Sequence, residues 1–154
     1  MKIFRIICLV VLFGSPALAE RAPKIEGTLV FQSERSFNDT LSRLKTAIAA
    51  HKMGLVAEAC ADCGARNFGV KIAGNRVVMI YHPRFAIRML AASIEAGVEA
   101  PLRIYVTEQK HGTQLSYRLP SAVFAPYGVD DLDAMAQDLD AILAAIMADT
   151  LNEK

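Results

Sequence analysis

The chain alternates between hydrophobic and polar positions in the way expected of strands and amphipathic helices. Five segments have the composition or alternation of strands: Gly27 to Ser33, Leu55 to Ala59, Arg76 to Tyr81, Leu102 to Glu108 and Thr113 to Leu119. The third is apolar after Arg76 and is predicted to be buried on both faces. Only Gln109 to Gly112 separate the last two segments, and Lys110, His111 and Gly112 predict the turn of an antiparallel hairpin.

The first predicted helix has the clearest signals for its start and its inner face. Ser36 is placed to cap it, with Asp39 three residues on as in a capping box. Its apolar residues recur at helical spacing, at Phe37, Leu41, Leu44 and Ile48. Gly54 follows as a stop signal.

Two further long helices and one short one follow from similar patterns. Pro83 suits the first position of a helix, which we expect to end by Gly97 and to pack through Ile87, Leu90, Ala91 and Ile94. Asp130 or Asp131 is predicted to cap the last helix, whose apolar face contains Leu132, Met135, Leu139, Ile142, Ile146 and Met147. Between the second and third strands, residues 60–68 are predicted to form a turn leading into a short helix.

This order of elements predicts an α+β fold. We expect a two-layer sandwich in which amphipathic helices pack on a mixed or antiparallel sheet of four to five strands. The terminal hairpin makes a doubly wound parallel sheet the less favoured alternative. Residues 27–152 are predicted to form this single domain, and the polar, proline-containing residues 20–26 a leader.

The first nineteen residues have the features of a secretory signal peptide. Lys2 and Arg5 precede a short apolar run, and small residues lead to a predicted cleavage between Ala19 and Glu20. The alternative is an uncleaved membrane anchor, but the apolar run is well short of the roughly 20 residues that span a bilayer. The sequence therefore predicts a periplasmic or secreted protein with no stable membrane anchor after cleavage.

Charge and motifs exclude several classes of function. Cleavage would remove two basic residues and shift the formal net charge from +1 to −1, so nothing favours nucleic acid or anionic lipid as a partner. No glycine-rich phosphate loop, serine-hydrolase elbow or HExxH motif is present.

Cys60 and Cys63 would be the two cysteines of the mature chain, in the stretch EACADCGA. Exported proteins meet oxidising conditions, and this spacing allows a local disulfide. A reactive redox pair is an alternative that requires the first cysteine at a helix N-terminus after a strand. A metal site is a further alternative, although zinc usually takes four ligands and no second cysteine pair exists. Two free thiols remain the fourth interpretation.

A second group of residues is predicted to surround a binding cleft. Tyr81, His82 and Arg84 lie at the end of a central strand, and Glu108 and Tyr117 are the polar residues expected near them. Three of these residues also have a simpler interpretation. His82 would cap a helix, Glu108 would end a strand in solvent, and Tyr117 would be a half-buried strand residue.

Five pieces of the chain, in order, resemble the domain of unknown function 302 family. They are Ser36-Phe37 with Thr40-Leu41-x-x-Leu44, Ala65 to Gly69, Val77 to Pro83, Ala100 to Ile104, and Leu115-Ser116-Tyr117. The resemblance covers roughly residues 28–150. It implies a compact α+β domain that often dimerises, and no known reaction. The chain departs from the family pattern at Tyr81-His82-Pro83, where the family has G-N-P, and at Cys60 and Cys63, where relatives commonly carry a histidine.

Two hypotheses of function follow. The first is a non-enzymatic exported domain, a homodimer, that binds an unknown small ligand or protein partner in the predicted cleft without a cofactor. The alternative is a periplasmic thiol-redox or metal-handling protein that uses Cys60 and Cys63. A hydrolase built on His82 and Glu108 would lack a nucleophile.

Overall fold

The computed structural model describes residues 25–152, so the predicted signal peptide, its cleavage site and most of the leader lie outside the described residues. Its strands are β1 (Thr28–Ser33), β2 (Gly54–Cys60), β3 (Asn75–Tyr81), β4 (Leu102–Gln109) and β5 (Gly112–Arg118). Its helices are α1 (Phe37–Ala50), α2 (Ala61–Asn67), α3 (Pro83–Ala92), α4 (Pro120–Phe124) and α5 (Asp130–Leu151), with short 3-10 turns at Glu95–Glu99 and Ala125–Tyr127.

The five strands form one antiparallel sheet in the order β1-β5-β4-β3-β2. The sheet is open, and β1 and β2 are its two edges. Fully buried side chains from the three central strands, among them Val78, Ile104 and Leu115, face the helices. Helix α5 packs against α1, α3 and α4 over this face. The predicted α+β sandwich is therefore confirmed, with an antiparallel sheet.

Local signals in the sequence gave two boundaries correctly. The hydroxyl of Ser36 accepts a hydrogen bond from the Asp39 amide at 3.3 Å and caps α1 as expected. Lys110 and His111 form the turn of the β4–β5 hairpin. Gly112 has φ +108°, and a Cβ there would lie 2.0 Å from the Ser33 carbonyl oxygen, so only glycine fits.

The predicted inner face of α3 is wrong. Ile87, Leu90, Ala91 and Ile94 are exposed, whereas Phe85, Ala86 and Met89 are buried. This helix has apolar residues on two overlapping faces. The face that contains the Phe85 ring packs on the core, and the predicted face is in solvent. The helix also ends at Ala92, because Ser93 is extended, so Ile94 lies outside it.

Two predicted helix boundaries also differ. Val129 precedes α5 without a side-chain cap, and Asp130 and Asp131 lie inside its first turn, where their charge complements the helix dipole. Gly54 does not stop α1 but begins β2. The turn between them is made by Lys52, whose φ is +58°.

Candidate functional site

The two cysteines lie at the junction between β2 and α2. Cys60 is the last residue of β2 and the N-cap of α2, and its sulfur accepts a hydrogen bond from the Cys63 amide at 3.1 Å. The two sulfur atoms are in bonding contact, and the Cα atoms are 5.2 Å apart, within the range for a disulfide. Both residues are partly exposed. The disulfide therefore joins neighbouring residues of one turn, and its sulfur-bearing residues are accessible to solvent.

Asp62, between the cysteines, is the buried centre of the site. Its carboxylate accepts hydrogen bonds from Arg66 at 2.8 Å and from the Asn75 amide at 3.1 Å, and it also pairs with Arg76. The Asp62 side chain is 9% exposed and that of Arg76 12%. A buried charge needs such compensation. These contacts fix the cysteine turn to the start of β3.

Arg76 extends the network to the neighbouring elements. Its Nε donates to Glu58 of β2 at 2.9 Å, and Glu58 also pairs with Lys45 of α1. The guanidinium lies 5.4 Å from the centre of the Phe37 ring at the start of α1. The site thus joins β2, β3 and the start of α1.

An open cleft of about 770 Å³ lies beside this network. Its walls are the start of α1 and the loop 69–74, and Asp62, Arg66, Arg76 and Glu108 also line it. The loop begins next to Phe68, which is highly exposed. The cleft gives another molecule access to the charged side of the cysteine turn.

Three side chains of the turn have the chemistry of metal ligands. The ligand atoms of Cys60, Asp62 and Cys63 all lie within 4.8 Å of one another. Both Asp62 oxygens, however, already accept hydrogen bonds from Arg66 and Asn75 and pair with arginine. Sulfur atoms joined to each other are not thiolates, which are the form that binds metals. A metal could therefore bind here only if the disulfide were reduced and the hydrogen bonds and ion pairs of Asp62 were broken.

The residues predicted to share a binding cleft do not come together. Tyr81 ends β3 and His82 follows it, next to the start of β4. Glu108 lies near the end of β4, six residues or about 20 Å further along that strand. The antiparallel pairing of β3 and β4 causes this separation. Tyr81 and His82 instead border a small apolar cavity of about 30 Å³.

These residues make separate contacts within the domain. His82 caps α3, because its Nδ1 accepts from the Arg84 amide at 3.1 Å. The Arg84 guanidinium lies 5.6 Å from the Phe85 ring centre. Glu108 accepts from the Gly74 amide at 2.8 Å and so holds the loop that borders the open cleft. The cap matches the simpler interpretation of His82, whereas for Glu108 the sequence suggested a strand end in solvent and did not predict the bond to Gly74.

Tyr117 lies in the core rather than in a cleft. Its side chain is 4% exposed and stacks on Phe31, with 5.9 Å between ring centres. Its hydroxyl has no hydrogen-bond partner among the described residues. Burial raises the pKa of Tyr117, and the negative charge of Asp140 adds to the effect.

Sequence reasoning did not identify Asp62 and Arg76 as residues of the site. A signal for Asp62 exists, since an acidic residue inside a cysteine pair is placed next to reactive sulfur. Arg76 gives no such signal, because its partners Glu58 and Asp62 are distant in the sequence and meet it only through strand pairing.

No helix among residues 25–152 is both long enough and apolar enough to cross a bilayer. A search of the curated proteins found no match to the chain. A crystal structure of an uncharacterized conserved protein, DUF302, from Bacillus stearothermophilus is similar, with a TM-score of 0.74 and 17% identity over 83% of this chain and 100% of that one. At that identity the likeness shows the fold alone. The family model of the domain of unknown function DUF302 matches residues 29–150. The chain therefore belongs to the DUF302 family.

Proposed function

We propose that this domain is an exported thiol–disulfide exchange protein, in which Cys60 and Cys63 alternate between a disulfide and two thiols. The observation that carries the proposal is the position of Cys60. It ends a strand, caps the next helix, accepts the Cys63 amide at 3.1 Å and is partly exposed. An amide directed at sulfur stabilises a thiolate, and a thiolate is the form that attacks disulfides.

The exchange needs only these two sulfurs and a partner disulfide. The Cys60 thiolate attacks one sulfur of the partner, and the other partner sulfur leaves as a thiolate and takes a proton. Cys63, after losing its proton to solvent, then attacks the sulfur of Cys60 and releases the partner's second thiolate. The partner gains two electrons and two protons, and the domain loses them. The reverse sequence reduces the domain.

The charges around the pair make this chemistry possible next to a carboxylate. Asp62 Oδ1 lies 3.6 Å from the Cys60 sulfur, and its negative charge alone would oppose a thiolate there. Arg66 and Arg76 both pair with Asp62 and offset that charge. The ion pairs therefore support exchange as well as holding the turn.

Thiol trapping of the native protein tests the proposal. The folded, oxidised protein is equilibrated with glutathione redox buffers, and its thiols are alkylated and counted by mass spectrometry. We expect both cysteines to become reduced and reoxidised without unfolding. Cys60→Ser and Cys63→Ser variants serve as controls and should form mixed disulfides only. If both cysteines react with glutathione only after urea is added, the pair is a structural crosslink and the proposal is wrong.

A second candidate function is partner binding without catalysis, with the domain as a homodimer. The observation that favours it is the exposed apolar row of α3 and the turn after it: Ile87, Leu90, Ile94 and Val98. Contiguous exposed apolar surface marks contact sites in soluble proteins. Analytical ultracentrifugation of the mature protein tests it, and a monomer at every concentration would count against self-association.

A further inference from the structure

We propose that the free edge of β2 receives an extended segment of a partner polypeptide as an added strand, which places a partner cysteine beside Cys60. The inference rests on the proposed exchange function and specifies its substrate class. That class is an extended polypeptide chain bearing a disulfide, recognised through its backbone, rather than a small thiol such as glutathione.

The edge of β2 has unused hydrogen-bonding groups. β2 is an outermost strand of the sheet, and within residues 25–152 it pairs only with β3. Every second amide and carbonyl of such an edge points away from the sheet, and an extended chain satisfies these groups by adding a strand. The edge can therefore form backbone hydrogen bonds with an extended peptide.

The side chains of β2 leave this edge open. The segment from Ala57 to Cys60 contains neither proline nor lysine, the residues that commonly protect edge strands. Ala57 and Ala59 are small and exposed. Glu58, the only charged residue of the strand, is bound to Arg76 and Lys45. The pairing irregularity between Leu55 and Ala57 confines the regular edge to the residues that lead to Cys60.

The register of an added strand brings the two sulfurs together. Residues opposite each other in paired strands point to the same face, with Cβ atoms about 5 Å apart. A partner cysteine opposite Cys60 would therefore present its sulfur on the face that carries the Cys60 sulfur. The other sheet edge, β1, lies four strand spacings or about 19 Å away, too far for its pairing to help exchange.

The test uses the Cys63→Ser variant, in which the reduced Cys60 can attack but cannot be resolved internally. The probe is a short peptide of alternating valine and threonine with a central cysteine and lysines at its ends. Its cysteine is activated as a mixed disulfide with thionitrobenzoate. Attack by Cys60 forms the protein–peptide disulfide, breaks the bond to thionitrobenzoate and releases that coloured thiolate, whose absorbance gives the rate.

Two control probes separate backbone pairing from reactivity. One is the same peptide with its flanking amides N-methylated, which cannot pair as a strand, and the other is glutathione activated in the same way. We expect the unmethylated peptide to react about tenfold faster than either control, since a few backbone hydrogen bonds are worth that much. Hydrogen exchange of the adduct should slow at β2 amides and not at β1 amides.

The outcomes distinguish the two proposals. If no probe reacts, activated glutathione included, the exchange function itself fails. If all three probes react at equal rates, the exchange function stands and the edge proposal is overturned. Protection of β1 in place of β2 would also overturn it. A third result would also overturn the edge proposal. If the β2 amides of the free protein are already protected from hydrogen exchange and lose that protection on dilution, a second copy of the domain occupies the edge.

Discussion

Asp62 and Arg76 form an ion pair between the cysteine turn and the first residues of β3, and both side chains are almost fully removed from solvent. The pair is not isolated, because Arg66, Glu58 and the Asn75 amide complete it. Charges buried in this way are stable only together, since each offsets the desolvation of the other. The geometry of the cysteine turn thus depends on a residue of another strand.

Asp62→Ala should destabilise the oxidised protein by about 3 kcal/mol, because it removes one of the two carboxylates that pair with the buried guanidinium of Arg76 and leaves Glu58 as the other. Urea unfolding measures this. Asp138→Ala is the matched control. It removes an exposed pair with Arg88 at 2.7 Å and should cost less than about 1 kcal/mol. Equal effects of the two substitutions would mean that the Asp62 network contributes no more than a surface pair.

Reduction of Cys60 and Cys63 should leave the domain folded and lower the free energy of unfolding by about 2 kcal/mol or less. The crosslink closes a loop of only a few residues and removes little entropy from the unfolded chain. Urea curves with and without a phosphine reductant measure the change. The double variant Cys60→Ser/Cys63→Ser should be insensitive to reductant. A loss of fold on reduction would contradict both this prediction and a cycling redox pair.

Tyr117→Phe should stabilise the protein by about 1 kcal/mol at neutral pH, since it removes a buried hydroxyl that has no partner among the described residues. Chemical unfolding at pH 7 measures the gain. Tyr105→Phe is the control and should give no gain, because that exposed hydroxyl accepts a hydrogen bond from the Asn75 side chain. A loss of stability in Tyr117→Phe would indicate that the hydroxyl is satisfied in solution.

The same residue predicts an alkaline effect. The pKa of Tyr117 is raised in the folded protein, because burial and Asp140 disfavour its ionised form. Its ionisation therefore leaves stability unchanged below the unfolded pKa of about 10 and lowers it as pH rises from there through the higher folded pKa. We expect stability to decline at high pH more steeply in the wild type than in Tyr117→Phe. Parallel pH profiles of the two proteins would contradict this assignment.

Ile87→Asp with Ile94→Asp should convert a homodimer to a monomer if the exposed apolar row of α3 and the turn after it forms the interface. These side chains are 70% and 77% exposed, so the substitutions should change monomer stability by less than about 0.5 kcal/mol. Light scattering after size-exclusion chromatography measures the mass. Val30→Asp, on the exposed part of β1, is the control and should leave the dimer intact. A dimer that survives in the Ile variant places the interface elsewhere.

Local interactions explain what could be predicted from the sequence. Ser36 caps α1 through the amide of Asp39, three residues away, and Gly112 forms a turn that no other residue fits. The alternation of the strands and the terminal hairpin gave the α+β class. The cysteine spacing also allowed the bonded pair, which was one of four interpretations, because residues three apart stay close in any turn. Each of these features depends on neighbours in the chain.

The sequence by itself determined the five strands, the main helices and the α+β class, and it allowed a local cysteine pair as one of four interpretations. Only the tertiary structure decided which faces pack and what surrounds the cysteines. Antiparallel pairing of β3 and β4 sends Glu108 and His82 to opposite ends of the sheet, although both lie near strand ends in the sequence. Packing, not periodicity, chose Phe85 over Ile87 as the inner side of α3. Asp62 meets Arg76 because the strand register brings charges together that are distant in the sequence. Each charge offsets the cost of burying the other, and no pattern of neighbouring residues in the sequence predicts such a pair.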